Sequence, residues 1–199
     1  MYNFALEVLT AGRLEYEALI PIFIGSFSAS YVSHLLGLPA FKHALEVHTH
    51  VTWALSVKLV ILAIIFGLTG GLFAYALNGF RDILRQKFLN KPFLKIFLGG
   101  ILISILLLIF GAGRYAGLGE PLVAQAFAGK SLWYDFAFKM IITILTLACG
   151  FRGGEVMPLF VIGATLGAAI APITGLNPSL VVALGFVAVF GAGTNTMLA

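Results

Sequence analysis

The residues most able to do chemistry in this sequence form one short turn, Gly153-Gly154-Glu155-Val156-Met157-Pro158. Proline is accepted inside a helix only in its first turn, so Pro158 marks a helix start. The stretch that follows, Leu159 to Ala171, is apolar and rich in small residues. Within it, Gly163 and Gly167 have the spacing that lets helices approach closely in lipid. A helix start leaves backbone N–H groups unpaired at the positive end of the helix dipole. Such donors suit a small anion, and flanking glycines let it approach without side chains in the way. Glu155 has two readings. An acid in a first turn is favoured electrostatically wherever the helix lies. Inside a membrane, however, a carboxylate is costly and tends to mark an ion or proton pathway. Physics alone leaves both open.

Other polar groups carry less. Arg114-Tyr115-Ala116-Gly117-Leu118-Gly119-Glu120-Pro121 lacks the surrounding βαβ pattern of a dinucleotide fingerprint and is expected to be a structural loop, re-entrant or at the surface. His48 and His50, with His43 and Glu46 nearby, fall short of the three or four well-placed ligands of a closed metal site, so no metal is expected. Asp135 and Lys139 predict an i,i+4 pair that neutralises itself near a membrane interface. Thr194, Asn195 and Thr196 suit either a broken helix or a loop. No nucleophile and base have the spacing or context for catalysis, so neither an enzyme nor a cofactor is expected. Cys149 is the single cysteine and forms no internal disulfide.

The elements that must position this turn are membrane helices. The 199 residues are 60% hydrophobic and 10% charged, with mean hydropathy +1.05. Soluble domains carry about 25% charged residues, so the lipid bilayer is the expected surrounding. The net charge of +4 does not indicate nucleic acid, because the basic residues lie between apolar runs. A span needs about 20 apolar residues. Ala18 to Leu38, Trp53 to Leu77, Ile96 to Gly113 and Val156 to Thr174 meet that test. The second is expected to run on as helix to Arg85, longer than the bilayer is thick, and so to tilt or project. Trp133 to Cys149 and Ser179 to Ala199 are less regular.

Arg81, Arg85, Lys87, Lys91 and Lys95 crowd the loop between the second and third spans, which the positive-inside rule places in the cytoplasm. The loop with Lys42 and the histidines then lies outside, as does Arg114 to Lys130, while Arg152 to Glu155 approaches from inside. Met1 to Leu9 contains Glu7 and lacks the basic start of a signal peptide. Both ends read as cut, with Phe4 to Leu9 as the last turns of a helix and Ala199 inside an apolar stretch.

The order of motifs resembles the CLC family of anion channels and proton-coupled antiporters. Phe4-Ala5-Leu6-Glu7-Val8-Leu9 resembles the end of that family's helix H, Gly153 to Gly167 the start of helix N, and Gly185 to Thr196 the passage from helix O into P. The resemblance implies an all-α polytopic membrane protein with tilted and re-entrant helices, chiefly the second of two inverted repeats. Residues 1–199 would form one partial transmembrane domain, from the end of helix H to the start of helix P. It also implies a homodimer, a halide anion and a proton as substrates, and a bacterial inner membrane. The family binds its central anion partly through backbone N–H groups at the start of helix N, which marks Gly154, Glu155, Val156 and Met157 as anion-binding residues.

A glutamate at Glu155 is similar to the bacterial fluoride–proton antiporter branch and implies a proton-pathway role. Val156 replaces the usual phenylalanine, and Met157 stands where that branch has threonine. Val8 stands where chloride–proton exchangers have an internal proton glutamate, which suits the fluoride branch or a passive channel. The family's gating glutamate, a Gly-Ser-Gly-Ile-Pro-like turn and the pore tyrosine have no counterpart in the chain. These 199 residues are therefore expected to hold half of a site and not to transport alone, with a chloride channel, a chloride–proton antiporter or a non-transporting structural piece as the alternatives.

Overall fold

A computed structural model describes residues 19–37, 52–89, 91–111 and 113–194. The sequence features at Met1 to Leu9, at Lys42, His43, Glu46, His48 and His50, and at Asn195 to Ala199 lie outside them. The described residues form helices joined by turns. The chain divides into two compact units, residues 1–46 with 195–199, and 47–194. The first contributes α1 (Leu19–Leu35), 17 residues long and apolar along most of its length.

The second unit contains α2 (Trp53–Lys87), α3 (Pro92–Ile109), α4 (Glu120–Phe127), α5 (Asp135–Cys149), α6 (Val156–Thr174) and α7 (Pro178–Thr194). The expected long second helix is present: α2 has 35 residues, about 52 Å at ~1.5 Å per residue. It is capped by the Thr52 hydroxyl, which accepts from the Leu55 N–H. The third span differs from expectation. It starts at Pro92, four residues before Ile96, because proline suits a first turn, and ends at Ile109 rather than Gly113. Gly111 (φ +125°) and Gly113 (φ +97°) take backbone conformations that end the helix. Of the irregular Trp133 to Cys149 segment only Trp133 and Tyr134 form a turn, and α5 runs from Asp135 to Cys149.

Helix α6 is central. Of its most apolar window, 61% is buried, against 22% for α2 and 11% for α3, so α3 turns most of its surface outward. The small residues of α6 explain this. A Cβ at Gly163 would collide with the Gly185 carbonyl of α7, and one at Gly167 would lie 2.6 Å from the Val181 carbonyl oxygen. The two helices thus meet backbone to backbone, the contact that the Gly163/Gly167 spacing anticipates. On the other side of α7, a Cβ at Gly70 of α2 would lie 2.7 Å from Ala192 Cβ and from the Val189 carbonyl oxygen. A further core joins Ile103, Tyr115, Leu122, Ile142, Val161 and Val182 from five helices and the loop after α3.

Two polar ties pin α2 antiparallel to α6. Near one end, Lys58 Nζ donates to the Thr174 carbonyl at 2.8 Å, where the negative end of the α6 dipole favours a cation. Near the other, Arg81 meets Glu155. The ties are about 34 Å apart along α2 and about 28 Å along α6, comparable with the ~30 Å thickness of a hydrocarbon core.

Candidate functional site

The start of α6 lies where the sequence places it. Val156 is the first helical residue, and Glu155 the residue before it. The Glu155 carbonyl accepts the first helical hydrogen bond, from the Leu159 N–H at 3.2 Å. Pro158 is buried in the first turn and has no N–H. Among the described residues, the Val156 and Met157 amides have no acceptor, and no side chain caps the helix. An uncapped start on two half-buried residues is what an incoming anion would meet.

Gly153 and Gly154 are both exposed. A Cβ at Gly154 would meet nothing within 4 Å, and one at Gly153 only Leu147 Cδ2 at 3.8 Å. Neither has the positive φ that demands glycine. Among the described residues, nothing crowds either position. Both glycines and Pro158 line a cavity of about 310 Å³ that extends along α5, past Thr146 and Thr143, to Lys139.

The Glu155 side chain makes no capping hydrogen bond to its own helix. It accepts from Arg81 Nη2 at 2.6 Å, with both side chains about two-fifths exposed. Arg81 counted in the sequence only as one charge of a basic loop. The chain separation of 74 residues left no local signal of this pairing. It does set the end of α2 beside the start of α6, as the positive-inside ordering requires.

Asp135 and Lys139 behave otherwise than expected. They do not neutralise one another. Asp135, fully buried, accepts from Arg114 Nη2 at 2.7 Å and Nε at 3.3 Å, and from the Tyr115 hydroxyl at 2.7 Å. It also accepts from the Leu132 N–H at 2.8 Å and the Ser131 hydroxyl at 3.1 Å. Lys139, 2% exposed, donates to the carbonyls of Tyr115 (2.9 Å) and Gly117 (2.8 Å). The reason is geometric: helical side chains lean toward the N-terminus, where the Arg114 to Gly119 loop offers a fork of donors to the acid and bare carbonyls to the ammonium. Burial first, and then the hydrogen bond to Asp135, push the Tyr115 phenol above its ordinary value, so it stays a donor. Gly119 closes the loop at φ +84°, where a Cβ would lie 2.9 Å from Val161 Cγ2 and 3.2 Å from Lys139 Cε. The loop is thus tied to α5 and α6, as its expected structural role implies.

Several apolar spans around a small-residue core, with polar ties about a bilayer apart, define a polytopic helical membrane protein. The family comes from comparison with known proteins. The model of the voltage gated chloride channel family matches residues 2–199, and the chain belongs to that family. A "Chloride/fluoride channel protein" of Pseudomonas syringae pv. tomato is 37% identical over 211 residues, covering 98% of this chain and 44% of the relative. The crystal structure of a CLC-type fluoride/proton antiporter superposes with a TM-score of 0.92 at 40% identity, covering 98% of this chain and 49% of that one. The chain thus spans about half the length of the proteins it matches.

Proposed function

We propose that the protein takes part in transmembrane anion transport as a CLC-type fluoride/proton antiporter of the bacterial inner membrane, acting as a homodimer. In this reading residues 1–199 run from the end of helix H to the start of helix P and supply half of the ion site. The Val156 and Met157 amides, with the open backbone at Gly154, contact the halide, and Glu155 handles the proton. The observation that carries this reading is the uncapped start of α6 beside two glycines that the chain itself does not crowd. Likeness to a fluoride/proton antiporter at 40% identity supports the choice of ion.

Fluoride efflux from liposomes carrying the full-length protein, with external pH recorded, tests it. Efflux should drive proton movement in the opposite direction, and Glu155→Gln should lower that coupled movement by at least about a hundredfold, the low end for losing a proton-transfer group. If Glu155→Gln left flux and coupling intact, the side-chain role would be wrong.

Met157, in place of the threonine of the fluoride branch, favours a second reading as a passive chloride channel. Reversal potentials under a proton gradient separate the two, because a channel ignores the gradient.

A further inference from the structure

We propose that the cavity bounded by the last turns of α2, the first turn of α3 and the end of α5 binds the phosphodiester headgroup of an anionic phospholipid. The cavity, about 430 Å³, is lined by Asn78, Arg81, Asp82 and Arg85 of α2, Lys95 of α3 and Gly150 after α5, among others. Its charges do not cancel, since three cations face one carboxylate. Arg81 is engaged by Glu155. Among the described residues, Arg85 and Lys95 have no carboxylate within ion-pair distance. They converge from the two sides of the short α2–α3 turn.

The Lys95 ammonium lies beside the C-terminal end of α5, 3.4 Å from where a Cβ at Gly150 would sit, and a helix dipole favours a cation there. The Arg85 guanidinium adds a planar fork that matches two phosphate oxygens. Two cations brought together in a concavity call for an anion with several acceptor oxygens.

Three observations favour a lipid over free phosphate. Asp82 in the same cavity opposes the dianion, which makes up about half of free phosphate near neutral pH, more than the single charge of a phosphodiester. Asn78 and Asp82 provide hydrogen-bonding groups for a hydroxyl-bearing headgroup. Leu89, Leu94 and Leu98, close to Arg85 and Lys95 along the chain, are exposed and apolar, as contact with acyl chains requires. The cluster is also the one that the positive-inside rule sets against the anionic inner leaflet.

The test uses the full-length protein in nanodiscs of phosphatidylcholine, with or without phosphatidylglycerol, and native mass spectrometry of lipid retained after detergent transfer. Wild type should retain phosphatidylglycerol. The Arg85→Gln/Lys95→Gln double variant should bind it roughly 25-fold more weakly, about fivefold for each basic residue near an anionic headgroup. Lys95→Arg should keep most of the binding, and Lys130→Gln, in the loop after α4, should keep all of it. Equal retention by wild type and the neutral double variant would overturn the proposal, as would loss of lipid in the charge-conserving variant. Binding of inorganic phosphate by wild type in pure phosphatidylcholine, at the same affinity as the lipid, would overturn the lipid assignment in favour of a soluble anion.

Discussion

Arg81 reaches from the end of α2 to hold the Glu155 carboxylate at 2.6 Å, immediately before the first turn of α6. The pair joins the basic end of one span to the amides proposed to meet the anion. Being partly exposed, such a pair contributes only ~0.2–1 kcal/mol to stability. Its importance is in where it keeps the carboxylate.

Arg81→Gln should therefore separate stability from transport. The thermal midpoint of the full-length protein should fall by less than about 4 °C. Proton-coupled fluoride efflux should change several-fold, because Glu155 loses the group that orients it. A large fall in midpoint with normal coupling would make the pair merely structural.

Two glycine substitutions should give opposite results. Gly163→Ala drives a Cβ into the Gly185 backbone, which cannot move aside as a flexible side chain would, and should cost about 1–3 kcal/mol or prevent folding. Gly154→Ala meets open space and should leave the melting curve nearly unchanged while slowing anion flux. Thermal unfolding in detergent and liposome efflux, measured on both variants, check this.

Asp135→Asn should be the most damaging of the polar changes. It leaves the Arg114 guanidinium, 27% exposed, without its carboxylate, so the loss should lie near the lower end of the about 3–5 kcal/mol for removing one partner of a buried pair. Lys139→Met should cost less, about 1–3 kcal/mol, because it orphans neutral carbonyls at Tyr115 and Gly117. Unfolding midpoints in one detergent should rank wild type above Lys139→Met, and Lys139→Met above Asp135→Asn.

Cys149 provides a probe of the α3–α5 contact. It is 5% exposed, and a Cβ at Gly99 would lie 2.7 Å from its Cβ. A water-soluble maleimide should label it only after denaturation. Rapid labelling of the folded protein would contradict the packing of α3 on α5.

Much of this protein was legible before any coordinates. The start of α6 at Val156 follows from Pro158 and its end at Thr174 from Gly175, both local facts, although Pro172 sits inside its last turn against the first-turn rule. The length of α2 follows in the same way, and the Gly163/Gly167 spacing announces a close helix contact, though not that α7 makes it. Side-chain pairing was the part that local reading missed. The i,i+4 spacing of Asp135 and Lys139 suggested a self-contained pair, but the fold brings the Arg114 to Gly119 loop against both and gives each a different partner. For Asp135 that is Arg114, 21 residues earlier, and for Lys139 it is a pair of loop carbonyls. Glu155 shows the same division. By itself the sequence determined that an acid stands at a glycine-flanked helix start in a membrane protein, because composition, proline and helix geometry act over a few residues. Only the tertiary structure decided that Arg81 faces this acid and that the amides beside it stay uncapped, because ion pairs depend on distances in space that no spacing along the chain encodes.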